Sequence, residues 1–160
     1  MTSRTYHDPL HGAIRLDRQV PAEALAIALI DTAPFQRLRR IRQLGPAYLT
    51  FHGAEFTHSL GVLDLARRAL QELSRYQPEL NTHAGLLYAA ALLHDLGHGP
   101  LSHSGEEMYG LHHEHWSARL IREHPNLQEL LEAYAPGTAA AVADLLEHGR
   151  SPNAAIKALV

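Results

Sequence analysis

The stretch "AALLHDLGHGPLSH", residues 90–103, carries an apolar run directly into a group of polar side chains. His94 and Asp95 are adjacent, and His98 and His103 follow within the next turns of chain. Two glycines and a proline lie between these histidines, and such residues end helices sharply. The pattern predicts a buried helix that stops abruptly and presents imidazole and carboxylate groups at its end.

The rest of the chain shows mainly helical spacing of apolar residues. Helices are predicted from Pro21 through "AEALAIALID", from Thr32 to about Ile41, over about 57–76 and 82–95, from near His113, and around Leu127–Tyr134 and Val142–Leu146. A short strand is predicted after Gly12, with residues 47–51 as a possible partner. The fold class is therefore all-α, with at most a small β-hairpin near the N-terminus.

Composition limits the function classes. The chain has 160 residues, 46% of them hydrophobic and 19% charged, which is typical of one globular domain. No apolar run approaches the roughly 20 residues that span a bilayer, so no membrane partner is expected and the cytoplasm is the expected compartment. A formal charge of −3 argues against a general nucleic-acid-binding protein.

The end of the chain, "SPNAAIKALV", predicts a further helix beginning near Ser151 and Pro152. Its apolar residues Ile156, Leu159 and Val160 need cover from other apolar groups. We therefore expect either a partner at this end or a single domain, residues 1–160, that is truncated on its C-terminal side.

Histidine is abundant, with 13 residues, and cysteine is absent, so a metal site in this chain must use His, Asp or Glu. His94 and Asp95 can reach one ion from a helix end, and His58 in "FTHSLGV" offers a third ligand. This donor set suits Mn, Mg, Fe, Ni or Zn. His98 is expected beside the ion rather than on it.

A plainer interpretation is that these histidines cap helix ends and bond backbone carbonyls. For a single buried histidine that interpretation is the better one. The density of polar groups in residues 94–103, with two glycines and a proline among them, favours a metal site here.

These segments resemble the HD-domain metal-dependent phosphohydrolases, a family named for its paired histidine and aspartate. The order of "DPLHGAIRL", "LIDTAPFQRLRRIRQLG", "HSLGV", "HDLGHGPLSH" and "HHEHW" is that of the deoxynucleoside triphosphate triphosphohydrolases, which include dGTPase-like and sterile-alpha-motif HD enzymes. The resemblance covers roughly residues 6–124. It implies the helical HD fold and hydrolysis of a nucleotide to a deoxynucleoside and triphosphate.

The resemblance also implies roles for individual residues. The metal ligands fall on His58, His94 and Asp95, and the catalytic histidines fall on His98 and His113. In the chemistry of such a site, a bound cation activates water and a nearby imidazole positions that water or protonates the leaving oxygen.

Substrate contacts and regulation are implied further upstream. A glutamine that contacts deoxyribose matches Gln43, and Arg39 and Arg42 are candidates to bind the triphosphate, although a solvated helix face is the alternative for this arginine-rich stretch. Asp31, Gln36 and Arg39 match a regulatory nucleotide site between subunits, which implies a homo-oligomer.

Two departures from the family pattern leave other functions open. Glu55 stands where the family places an arginine, and the family's fourth ligand is an aspartate of a "DxDRxDY" segment that the 160 residues do not contain. The alternatives are an HD phosphohydrolase acting on a nucleoside monophosphate or cyclic nucleotide, and a non-catalytic nucleotide-binding HD module.

Overall fold

The computed structural model describes residues 2–8, 10–42, 54–99, 110 and 112–159. The chain opens with an antiparallel hairpin, in which β1 (Ser3–Asp8) pairs with β2 (Gly12–Asp17). Gly12 takes a left-handed conformation, with φ of 75°, where the turn enters β2. Residues 47–51, the partner suggested by the sequence, lie outside the described residues, and the pairing strand that is described is β1.

Helices make up most of the remaining described chain, which confirms the all-α class. They are α1 (Pro21–Ile30), α2 (Ala33–Arg37), α3 (Glu55–Leu73), α4 (Ala84–Leu93), α5 (His113–Glu123), α6 (Pro125–Tyr134), α7 (Thr138–His148) and α8 (Ala154–Lys157). Short 3₁₀ helices at Leu38–Arg40 and Pro78–His83 extend α2 and precede α4. None of the helices in the described part of the chain has the length and apolar character needed to cross a bilayer.

Helix α4 is the centre of the core. Its sequence, "AGLLYAAALL", is apolar on every face, and such a helix must be covered on all sides. Every residue from Gly85 to Leu93 is buried, and the helix packs against α1, α3 and α7. The C-terminal end of α4 is therefore fixed within the molecule, and His94 and Asp95 follow directly after it.

The ends of three helices differ in detail from their apolar spacing. Thr32 precedes α2, and its hydroxyl donates to the Leu29 carbonyl instead of accepting from the helix. Leu73, the last residue of α3, is 39% exposed. Ile156 is fully buried within this chain, so the expectation that it needs a partner to cover it is wrong.

Candidate metal centre

The segment after α4 is a tight turn, which we call the HD turn (residues 94–98). Helix α4 ends at Leu93, and the Leu96 N–H donates to the Leu93 carbonyl at 3.1 Å. The His98 N–H donates to the Asp95 carbonyl, also at 3.1 Å. The chain thus reverses over a few residues, and the side chains of His94, Asp95 and His98 turn toward one region.

Gly97 allows the HD turn to lie against α5. A β-carbon at this position would overlap the carbonyl oxygen of His113, and it would come within 2.6 Å of the Ser117 nitrogen and 2.7 Å of the Trp116 β-carbon. Only a residue without a side chain permits this approach. The approach brings His113, the first residue of α5, beside the turn.

The side chains of the three predicted ligands lie close together. His94 Nε2 lies 3.0 Å from Asp95 Oδ2, and His58 Nε2, from the first turn of α3, lies 3.2 Å from the same oxygen. The two imidazole nitrogens are 3.2 Å apart. The three atoms form a nearly equilateral triangle built from two separate segments of the chain.

This triangle fits a divalent ion. With metal–ligand distances of about 2.1 Å, adjacent ligands lie about 3.0 Å apart in octahedral and about 3.4 Å apart in tetrahedral geometry. The observed separations of 3.0–3.2 Å fall in that interval. Two imidazoles and one carboxylate on one side of an ion leave positions open for water or substrate.

The tautomer of His94 suits the same role. Its Nδ1 lies 3.0 Å from the Ala91 carbonyl oxygen, which can only accept a hydrogen bond, so the proton is assigned to Nδ1. In the neutral ring the Nε2 lone pair then points toward His58 and Asp95, whereas in the protonated ring Nε2 donates to Asp95. Histidines that bind metals usually donate their other ring N–H to a carbonyl or carboxylate in this way.

The second carboxylate oxygen of Asp95 faces two further histidines. Asp95 Oδ1 lies 3.4 Å from His98 Nε2 and 3.3 Å from His113 Nε2. The two rings are stacked, with centroids 4.1 Å apart and planes 20° from parallel. Asp95, which is 6% exposed, therefore joins the ligand triangle to this pair through its two oxygens.

The electrostatics of the cluster favour an ionised aspartate. Burial raises the pKa of Asp95, but hydrogen bonds from His58, His94 and His98 outweigh it and hold this pKa far below the usual range. Burial lowers the pKa of His94, yet the hydrogen bond and charge of Asp95 produce a net rise. A negative carboxylate among imidazoles is an environment that attracts a cation.

The arginine-rich stretch makes several contacts with neighbouring parts of the fold. Arg37 donates from Nη1 to the His98 carbonyl at 2.8 Å and from Nη2 to the Leu96 carbonyl at 2.6 Å. Arg39 lies 3.5 Å above the centre of the Phe56 ring. Arg42 pairs through its backbone with Ala54 in an isolated bridge.

The residues predicted for a regulatory nucleotide lie near the hairpin. Arg39 donates to Gln36 Oε1 at 2.7 Å, while Gln36 donates to the Ile30 carbonyl. Asp31 accepts from Arg4 at 2.6 Å, so this carboxylate is already paired within the chain. Gln43, the predicted deoxyribose contact, lies outside the described residues.

Glu55, which departs from the family pattern, and Asp144 of α7 differ in their surroundings. Glu55 is 2% exposed at the start of α3, and its charge contributes to the raised pKa of His94. Asp144 accepts from Arg122 at 2.8 Å on the surface of α7, so it takes part in a surface ion pair.

Ser117 is a residue of the site that the sequence interpretation missed. It is fully buried, and its hydroxyl contacts the backbone of the HD turn on both sides of Asp95. The signal available in the sequence was its position four residues after His113, which places a small polar residue on the same helix face.

Comparison with known proteins gives a family and several relatives. The HD domain family matches residues 56–155. An uncharacterised protein of Bacillus subtilis (strain 168), YwfO, is 42% identical over 147 residues, which cover 89% of this chain and 33% of that protein. Deoxynucleoside triphosphate triphosphohydrolase SAMHD1 of Gallus gallus is 40% identical over 148 residues, which cover 82% of this chain and 23% of that enzyme. SAMHD1 of Homo sapiens is 44% identical over 108 residues, which cover 64% of this chain and 16% of the enzyme. The chain spans a third or less of the length of these relatives.

Proposed function

The chain belongs to the HD domain family, and from this premise we propose that it is a metal-dependent phosphohydrolase that converts deoxynucleoside triphosphates to deoxynucleoside and triphosphate. The observation that carries the proposal is the triangle of His58 Nε2, His94 Nε2 and Asp95 Oδ2, with sides of 3.0–3.2 Å. The substrate class is supported by the relatives named deoxynucleoside triphosphate triphosphohydrolase, at 40–46% identity.

In the proposed mechanism, His58, His94 and Asp95 would hold a divalent cation. A bound divalent ion lowers the pKa of coordinated water and neutralises charge on a phosphoryl oxygen. Water attacks the α-phosphorus and gives up a proton, the bond from that phosphorus to the 5′ oxygen breaks, and triphosphate retains the oxygen of the water. The departing 5′ oxygen takes up a proton.

One of the two stacked histidines, His98 or His113, would donate that proton. His113 Nε2 and His98 Nε2 both face Asp95 Oδ1, within 3.4 Å of it. His98 is 1% exposed and His113 is only partly buried, so His113 is the better placed to meet a substrate. We assign proton transfer to His113 and the orientation of its ring to His98.

Nucleotide regulation and self-association are further parts of the proposal. Asp31, Gln36 and Arg39 would receive a regulatory nucleotide between subunits. Because Asp31 is bonded to Arg4, a bound nucleotide must displace that guanidinium or accommodate it.

A second candidate is a phosphohydrolase acting on a less highly charged nucleotide, such as a nucleoside monophosphate. Two observations favour it. Arg37 donates its hydrogen bonds to backbone carbonyls, and the Glu55 carboxylate is buried near His94. Both features lower the positive charge available to a triphosphate.

Product analysis separates the candidates. The protein is incubated with dGTP, dATP or dAMP in the presence of Mn²⁺ or Mg²⁺, and triphosphate and orthophosphate are measured. The proposal expects triphosphate from the dNTPs and its loss in His94→Ala, with His148→Ala, a surface histidine, as the matched control. Orthophosphate from dAMP alone would favour the second candidate. Nucleotide binding without any product would indicate a non-catalytic module.

A further inference from the structure

The backbone of the HD turn is held from two sides by side chains that are not ligands of the proposed ion. On one side, the Arg37 guanidinium donates to the carbonyls of Leu96 and His98, at 2.6 and 2.8 Å. On the other side, Ser117 accepts from the Gly97 N–H and donates to the His94 carbonyl, both at 2.7 Å. These four hydrogen bonds fix the residues on each side of Asp95.

Ser117 connects the two halves of the site. It lies on α5, one helical turn after His113, and its hydroxyl is fully buried against the HD turn. One atom therefore sets the distance between the helix that carries His113 and the turn that carries Asp95 and His98. The 3.3 Å contact from His113 to Asp95 and the stacking of the two rings depend on that distance.

A lysine at position 37 could not make both of the hydrogen bonds that Arg37 makes. Its planar guanidinium reaches two carbonyls that are separated by one residue, whereas an ammonium is a compact charge on a flexible stem. The residue also ties the HD turn to the N-terminal half of the chain, 59 and 61 positions away.

We propose that Arg37 and Ser117 are positioning residues that clamp the HD turn and set the geometry of the metal ligands and of the His98–His113 pair. The proposal rests on the proposed metal site for its first part. The second part, the stacking of two imidazoles, does not require an ion.

The test compares Ser117→Ala and Arg37→Lys with variants that remove similar groups elsewhere. Thr138→Ala removes a buried hydroxyl that bonds the Ala135 carbonyl, and Arg122→Lys removes a guanidinium that bonds Glu147 and Asp144. Circular dichroism establishes folding, and calorimetry measures Mn²⁺ affinity. Loss of an outer partner of metal ligands lowers metal affinity by about 10–100-fold, and we expect that range for the two clamp variants and no change for the controls.

Two spectroscopic readouts separate positioning from stability. The Co²⁺ absorption spectrum should change in Ser117→Ala and Arg37→Lys and stay that of the unmodified protein in the controls. Without metal, the nuclear Overhauser effect between the rings of His98 and His113 should weaken in the clamp variants only.

Each outcome bears on a different claim. If both clamp variants keep the unmodified Mn²⁺ affinity, Co²⁺ spectrum and ring contact, the clamp is wrong. If the unmodified protein binds no metal but the ring contact is lost in the variants, the clamp stands and the proposed function fails. Should Ser117→Ala not fold, Arg37→Lys carries the test by itself. Full Mn²⁺ affinity and an intact ring contact in Arg37→Lys would then overturn the clamp.

Discussion

Single atoms decide whether the HD turn can lie against α5. Gly97 occupies a position where a β-carbon would overlap backbone and side-chain atoms of His113, Trp116 and Ser117. A β-carbon on Gly99, two residues later, would meet no heavy atom within 4 Å among the residues that the structure describes. Two glycines that look equivalent in the sequence therefore differ: within the described part of the chain, only Gly97 lies at a close contact.

Gly97→Ala should destabilise the fold and loosen the site. Overpacking of this kind costs about 1–3 kcal/mol, since the HD turn must move away from α5. The free energy of unfolding, measured by urea denaturation, should fall by that amount while Gly99→Ala leaves it nearly unchanged. Equal stability of the two variants would show that the close contact at Gly97 is not tight.

At the residue scale, the sequence predicts which side chains form the candidate site, but it does not predict which distant residues contact each other. The helix end, the glycines and the histidines are local features, and local spacing is what a sequence displays. The role of Arg37 is not local, because its partners lie 59 and 61 residues further along the chain. An arginine in a basic stretch predicts an exposed cation or a phosphate contact, and only the fold reveals that two backbone carbonyls use it.

At the scale of elements, apolar spacing predicts where the helices lie along the chain, but it does not predict the contacts between them. Helix α3 was expected over about 57–76 and is observed at Glu55–Leu73, an ordinary uncertainty in helix ends. Its junction with α1 is an ion pair between Arg67 and Glu23, with 2.6 Å between Nη2 and Oε1. Glu23 also accepts from the Asp17 N–H, so the same carboxylate secures the hairpin. Periodicity carries no signal for pairing across 44 residues.

Replacing Arg67 by Ala should weaken this junction. The Glu23 side chain, 12% exposed, would lose its charged partner, which costs about 1–3 kcal/mol of unfolding free energy. Arg68→Ala is the control, because Arg68 is 69% exposed and lies 4.0 Å from Asp64, and a change within about 0.5 kcal/mol is expected. Mn²⁺ affinity should be the same in both variants, so a loss confined to Arg67→Ala would contradict the assignment of this pair to the fold alone.

At the scale of the whole molecule, the proposed ion would link distant segments of the chain. His58 belongs to α3, while His94 and Asp95 follow α4, so a cation bound between them joins two helices that also pack in the core. The sequence predicted the all-α class and brought these three residues together as a hypothesis. The relative placement of α5, which adds His113 and Ser117, required the three-dimensional fold.

Metal binding should therefore raise thermal stability. A ligand that binds only the folded state at a hundred times its Kd adds about 2.7 kcal/mol, which raises Tm by about 5–10 °C for a domain of this size. Differential scanning calorimetry with and without Mn²⁺ measures this shift. The shift should vanish in His58→Ala and persist in His148→Ala, and a shift retained without His58 would place the ion elsewhere.

Anomalous diffraction from crystals grown with Mn²⁺ would test whether His58, His94 and Asp95 hold one divalent cation. We expect a single strong anomalous peak about 2.1–2.2 Å from His58 Nε2, His94 Nε2 and Asp95 Oδ2. A map without a peak among these three atoms, or with their side chains turned away from one another, would contradict it.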